Sequence, residues 1–381
     1  SPATATWTVD TIAPGTPALT SPDNGSVSND TTPTLSWSAI SDATLYTLEV
    51  DSNPGFNSGN GWTTNSGSNS ITLTSLYKGT YYWRVRAVDA VGNTGSYSTH
   101  RHFIIDTDAP TGGSISINGG ANYTTSTSVT LSLSASGASQ MRFKNESNGG
   151  WSGYESYATS KSWSLSNSQG TRSVYVQFKD SSGNETSGSN YDAITLDSVP
   201  GTVSYVTATT ANGSYKVGDT IQVKVEFSEN ISVTGTPQLT LETGSSDTMV
   251  NQSGQGVGIL YFEYTVAVGH LNSDLDYKAT NSLTGTIKDL AGNNMTLTLA
   301  SPGTADSLGA NKNIVVDGVA PSSNSISIAG GATYTNSTNV TLTLGSSGAS
   351  YMRFKNESGG TFGSYESYSP SKSWTLVNTQ G

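Results

Sequence analysis

The stretch Thr107–Gly170 returns, without a gap, as Gly318–Gly381. SISINGGANYTTSTSVTLSLSASGASQMRFKNESNGGWSGYESY becomes SISIAGGATYTNSTNVTLTLGSSGASYMRFKNESGGTFGSYESY, with roughly two thirds of the paired positions identical, and a gapless return of this kind marks a duplicated structural unit. What is duplicated reads as a fold, with no catalytic kit inside it. The first copy runs on into TRSVYVQFKDSSGNETSGSNYDAITLD whereas the second stops at Gly381, and the opening SPATATWTVD reads as the closing strand of another domain. The expectation is a segment of a longer chain whose two ends fall inside domains.

Only 33% of the residues are hydrophobic while glycine reaches 42 residues, a balance that suits several small two-layer domains and not one large core. The apolar residues alternate with a period of two, the pattern of half-buried strands. In YYWRVRAVD, Tyr81, Trp83, Val85 and Ala87 share one face and Tyr82, Arg84 and Arg86 the other. The same alternation runs through Val129, Leu131 and Leu133, through Met141 and Phe143, and through Val174, Val176 and Phe178. Ile221 to Phe227 and Leu260 to Val266 repeat it in a longer unit. The predicted fold class is all-β.

Four proline-ended marks punctuate the chain: DTIAP from Asp10, DTDAP from Asp106, DSVP from Asp197 and DGVAP from Asp317. Each follows an apolar strand end, and each proline removes a ladder donor and restricts the residue before it, so the strand stops there. They divide the chain into residues 1–10, 11–106, 107–197, 198–317 and 318–381. Linkers this short leave neighbouring domains in contact.

Seventeen basic residues against 28 acidic ones give a net charge of −11, which makes nucleic acid and anionic membranes poor partners. There is no cysteine, hence no disulfide and no thiolate metal site. No run is long enough to span a bilayer. No nucleophile elbow, zinc-protease helix or phosphate-binding loop occurs, and no carboxylate pair sits where its pKa would shift, so no enzymatic activity is expected. His100 and His102 share a strand face, but without a third ligand they read as a solvated edge.

One small motif occurs three times at the end of a strand: DAVGN from Asp89, DSSGN from Asp180 and DLAGN from Asp289. Turn chemistry accounts for it, since aspartate closes an Asx turn and glycine and asparagine tolerate left-handed backbone.

Residues 11–106 resemble a fibronectin type III domain in TPTLSW with its Trp37, in LYTLEVD and in YYWRVRAVD, the corner tyrosine being Tyr81 or Tyr82. Residues 107–197, with MRFKNE, SKSWSL and VYVQFKDSSGN, resemble a bacterial Ig-like module, truncated in residues 318–381. Residues 198–317 resemble a longer Ig-like repeat of giant adhesins through YKVGDTIQVKVEFSENISVTGTPQLTLETG. The resemblance implies tandem Ig-like and fibronectin-like β-sandwiches in an extended rod, on the outside of a bacterial cell, serving as an adhesin stalk or surface fibre. A self-assembling filament subunit and carbohydrate-binding accessory modules are its rivals. The implied partners are neighbouring domains or copies of the same protein, and surface glycans or host ligands met through other parts of a parent chain.

Sandwiches of this kind place the turn after strand F at the pole where the domain begins. Asp10 would then approach Asp89, Asp106 and Asp108 would approach Asp180, and Asp197 would approach Asp289, with Asp317 at the last joint. Similar adhesin domains use calcium to stiffen their joints, and Ca²⁺ takes six to eight oxygen ligands in loose geometry. Calcium at these aspartates and plain turn chemistry both remain open on the sequence. Trp151, Tyr154 and Tyr157, repeated as Phe362, Tyr365 and Tyr368, are candidates for stacking on sugar rings, as is Trp62.

Overall fold

The computed structural model describes residues 7–188 and 190–377. The chain divides into two compact units, Ser1–Ser198 and Val199–Gly381. Nearly all of its regular structure is strand, with a single turn of α-helix at Leu308–Asn311 and a short 3-10 turn at Ala329–Gly331.

The first unit holds two sandwiches built on one plan. In the first, a three-stranded sheet (Leu19–Ser21, Thr34–Trp37, Ser70–Thr72) faces a five-stranded one in the order Ser26–Ser28, Arg101–Ile105, Gly79–Val88, Leu45–Asp51, Trp62–Ser66. Ser26–Ser28 pairs parallel to Arg101–Ile105 while Leu19–Ser21 pairs antiparallel in the other sheet, so the opening segment closes both layers. The second sandwich repeats this, with Thr111–Ile117 antiparallel to Ser128–Ser136 and Tyr123–Thr124 parallel to Asn190–Leu196.

Period-two sequence becomes a two-faced strand here. Trp83, Val85 and Ala87 are fully buried and Tyr81 packs at the margin of the core, whereas Tyr82, Arg84 and Arg86 point out. Trp37, Leu35 and Leu48 close the same core, and each fully buried side chain of this size contributes about 1.5–3 kcal/mol. The corner tyrosine is Tyr81, whose hydroxyl donates to the Tyr77 carbonyl at 3.0 Å. Tyr82 lies on the outer face between His100 and His102, with ring centroids at 5.7 and 5.5 Å.

In the second sandwich Leu131, Phe143, Val174, Val176 and Phe178 form the core. Asn145 locks one end of it: its side-chain oxygen accepts from Trp163 Nε1 at 2.8 Å and its Nδ2 donates to the Ser164 carbonyl at 2.9 Å. The duplicate keeps the lock, with Asn356 accepting from Trp374 at 2.7 Å. These asparagines head two Asn-x-Ser sequons, and their amides are spent on packing.

The second unit begins with the longer sandwich. Its large sheet runs Val203–Ala208, Thr220–Phe227, Ile259–Thr265, Asp247–Gly256, Ile231–Glu242, Asp276–Tyr277, with Leu283–Asp289 also on Ile231–Glu242. Gly213–Lys216, Ile314–Asp317 and Leu271–Asn272 form the facing sheet. The alternation from Ile221 to Phe227 and from Leu260 to Val266 fills its core. The duplicated segment follows, with Ser322–Ile328, Asn339–Ser347 and Ser371–Thr375 in one sheet and Tyr351–Met352 paired to Glu366–Ser367. Ile117 is 0% exposed in the first copy and its equivalent Ile328 is 43% exposed.

Candidate functional site: the joints between sandwiches

The strand Gly79–Val88 is followed by Asp89, whose carboxylate organises the next turn. Its Oδ1 accepts from the backbone N–H of Val91, Gly92 and Asn93 at 2.9, 2.7 and 2.8 Å, and its Oδ2 from Asn93 Nδ2 at 2.8 Å. Gly92 takes φ +97, a conformation L side chains rarely adopt. Asp180 does the same for Asn184, accepting its N–H at 2.8 Å and its Nδ2 at 2.9 Å. Asp289 accepts from Gly292 and Asn293 N–H at 2.7 and 2.9 Å and from Asn293 Nδ2 at 2.8 Å. Burial works against ionisation of Asp89 and Asp180, but the hydrogen bonds outweigh it and hold both carboxyls below the usual range.

The turn so built aims its asparagine at the chain entering the sandwich. Asn93 Nδ2 also donates to the carbonyls of Asp10 and Ile12, at 3.1 and 3.4 Å. A Cβ on Gly95 would lie 2.5 Å from the Pro14 carbonyl, so glycine is what lets the linker lie against this turn. At the second joint Asn184 Nδ2 donates to the Asp106 carbonyl at 2.8 Å and Ser182 Oγ to the Asp106 carboxylate at 3.1 Å. The Ser182 carbonyl accepts from Asn29 N–H of the first sandwich at 3.1 Å, and Lys78 pairs with Asp108. The aspartate of the motif therefore makes the turn and the asparagine makes the joint.

Asn93 thus links the Asp10 carbonyl to the Asp89 carboxylate, and Asn184 links the Asp106 carbonyl to the Asp180 carboxylate. N–H donors face both oxygens of the Asp89 and Asp180 carboxylates and take up part of their acceptor capacity. Asp10 accepts from Ile12 N–H at 3.0 Å and Asp106 from Asp108 N–H at 3.1 Å, which are local Asx turns. Asp197 donates its N–H to the Thr124 carbonyl at 2.9 Å, and Asp317 accepts from Val319 N–H at 3.1 Å. Residues 1–6, part of the expected opening strand, lie outside the described residues, and residues 7–10 are not in a strand.

The aromatic candidates at Trp151, Tyr154 and Tyr157 are not open platforms. Lys179 and Arg142 lie over Tyr154 at 4.4 and 4.6 Å, and Arg142 and Lys144 over Trp151 at 5.2 and 5.1 Å. Lys144 continues to Tyr175, which stacks on Tyr191 at 5.0 Å. The result is an alternating ladder of cations and rings on the outer face of the five-stranded sheet. Arg353 and Lys355 rebuild part of it over Phe362 and Tyr365 in the duplicate. Burial pushes the Tyr154 hydroxyl up to about 12. Tyr157 turns inward against Phe178, with its hydroxyl accepting from Ala135 N–H at 3.1 Å. Of the cations above Trp151 and Tyr154, Arg142 and Lys144 were legible only as outward positions on the strand of Met141 and Phe143, and Lys179 comes from the neighbouring strand Gly170–Lys179.

Residues 14–107 match the family model of a bacterial Ig-like domain. The first sandwich is thus similar to a bacterial Ig-like domain. Solved structures similar to the chain include the fibronectin(III)-like modules of Clostridium thermocellum CbhA, at 15% identity, TM-score 0.32, and 48% of this chain against 94% of that one. Another is a structure concerning host cell surface retention of a 1.5-MDa bacterial ice-binding adhesin, at 15% identity, TM-score 0.35, and 73% against 92%. Comparison with curated proteins returned no match. The sandwich matched over residues 14–107 and the one that follows it on the same plan are tandem β-sandwiches. Among the described residues no helix is long and apolar enough to cross a membrane.

Proposed function

We propose that this chain is a non-catalytic, load-bearing segment of a bacterial cell-surface protein, an adhesin-type stalk or fibre whose sandwiches are held in line by hydrogen-bonded joints. The observation that carries this reading is the Asn184 contact to the Asp106 carbonyl, repeated in kind by Asn93 at Asp10. A linker of a few residues limits how far two domains separate but leaves their angle free. A side-chain donor fixed by its own turn and bonded to the linker residue that follows the preceding domain's last strand restricts that angle. Stability in such an array is local to each domain and each joint, so length comes from adding modules.

The reading is tested by small-angle scattering and backbone NMR relaxation on the chain with Asn93 and Asn184 both replaced by alanine. Independent tumbling of the first two sandwiches in the variant, against joint tumbling in the parent, is the expected result. Equal mobility in the two proteins would remove the clamp. Surface exposure on producing cells, read by protease shaving, tests the location separately.

A further inference from the structure

The first sandwich carries a groove of about 730 Å³ between the edge strands Trp62–Ser66 and Ser70–Thr72, within the roughly 300–1,000 Å³ usual for ligand clefts. One wall is aromatic. Trp62 meets Tyr81 edge-on at 6.3 Å, Tyr81 stacks on Phe103 at 5.7 Å, and the bond from the Tyr81 hydroxyl to the Tyr77 carbonyl ties down the loop that presents Tyr77. Trp62 is 37% exposed and Tyr77 86% exposed, so both rings reach solvent from a rigid support. The rest of the lining is hydroxyl and amide, including Asn60, Thr64 and Thr74. Among the described residues, nothing in the protein hydrogen-bonds the Thr64 and Thr74 hydroxyls or the Asn60 side-chain amide.

In a chain of net charge −11, the absence of any Asp, Glu, Lys or Arg from this lining selects against ionic ligands. Apolar ring faces beside uncharged donors and acceptors match a pyranose, which offers C–H on its faces and hydroxyls at its edge. We propose that this groove binds a neutral oligosaccharide, with Trp62 and Tyr77 as the stacking residues and Asn60, Thr64 and Thr74 as hydrogen-bonding partners. The site differs from the ladder at Trp151 and Tyr154 in that no cation covers its rings. A stalk bearing it would adhere laterally to a glycan layer.

The test titrates the full chain with cellohexaose, xylohexaose, laminarihexaose, mannohexaose and N-acetylchitohexaose, and with polygalacturonate as the acidic control, following tryptophan fluorescence and saturation-transfer NMR. At least one neutral sugar is expected to bind while polygalacturonate does not. Trp62→Ala and Tyr77→Ala are each expected to weaken binding by about ten-fold or more with an unchanged melting temperature, Trp62→Phe recovering part of the loss. Tyr77 is exposed enough that its variant keeps the test valid should Trp62→Ala disturb the fold. Binding by none of the neutral sugars, or binding indifferent to both substitutions, overturns the proposal. Capture of an extended peptide along the Trp62–Ser66 edge in place of any sugar would overturn it too.

Discussion

Asn184 Nδ2 lies 2.8 Å from the carbonyl oxygen of Asp106, a residue 78 positions earlier that ends the preceding sandwich. The same nitrogen is 2.9 Å from Asp180 Oδ2, so one amide serves its own turn and the joint at once. Removing it therefore acts on two levels, within the domain and between domains.

Asn184→Ala is expected to lower the stability of the second sandwich by about 1 kcal/mol, the net worth of a typical hydrogen bond, and to loosen the joint. Asn184→Asp sets a carboxylate against the Asp180 carboxylate and the Asp106 carbonyl, and should cost more. Thermal melts rank the two variants, and residual dipolar couplings of the two sandwiches report the joint. A joint equally ordered in all three proteins counts against the clamp.

Acid should weaken the turns. The carboxyls of Asp89 and Asp180 are held below the ordinary range in the folded chain, so the stabilisation they give is complete above the ordinary aspartate pKa of about 3.9. It is lost as pH falls through the lower folded values. The melting temperature of residues 7–198 should be flat from neutral pH to about pH 5 on this account and fall below that. Asp180→Asn should flatten the acid limb of the second sandwich; a limb unchanged by that substitution assigns the acid sensitivity elsewhere.

Gly95→Ala places a methyl group 2.5 Å from the Pro14 carbonyl, closer than real Cβ contacts come, and the neighbour is backbone. Overpacking of this kind costs about 1–3 kcal/mol. The expected outcome is a displaced linker at Pro14, seen as amide shift changes confined to residues 10–16, with the sandwich core intact. Shifts spread through the Trp37 and Trp83 core would point to a different role for this glycine.

Chelation should leave the first two sandwiches unmoved. Melting of residues 7–198 with EDTA and with millimolar calcium is expected to give superimposable curves, since N–H donors face both carboxylates that a cation at these joints would need. A rise in melting temperature with calcium would return the ion to the joints.

Strand faces were legible in the sequence because side-chain period two is a local property. Trp83, Val85 and Ala87 inward with Arg84 and Arg86 outward follows from their order alone. The three aspartate-glycine-asparagine turns were equally legible, since an Asx turn closes within five residues. The ladder over Trp151 and Tyr154 was not, because Arg142, Lys144 and Lys179 come from other strands, and only register brings them over those rings.

The amino-acid order by itself determined that this protein is a run of sandwiches with a duplicated module, because alternation, proline and glycine act on near neighbours. Tertiary structure alone decided what the turns are for. Whether an aspartate beside a joint meets a cation or an amide depends on which atoms arrive from 78 or more residues away. The same holds for whether an aromatic ring is capped by a lysine or left open at the mouth of a groove. Those encounters are set by how two sheets close on each other, which no local pattern encodes.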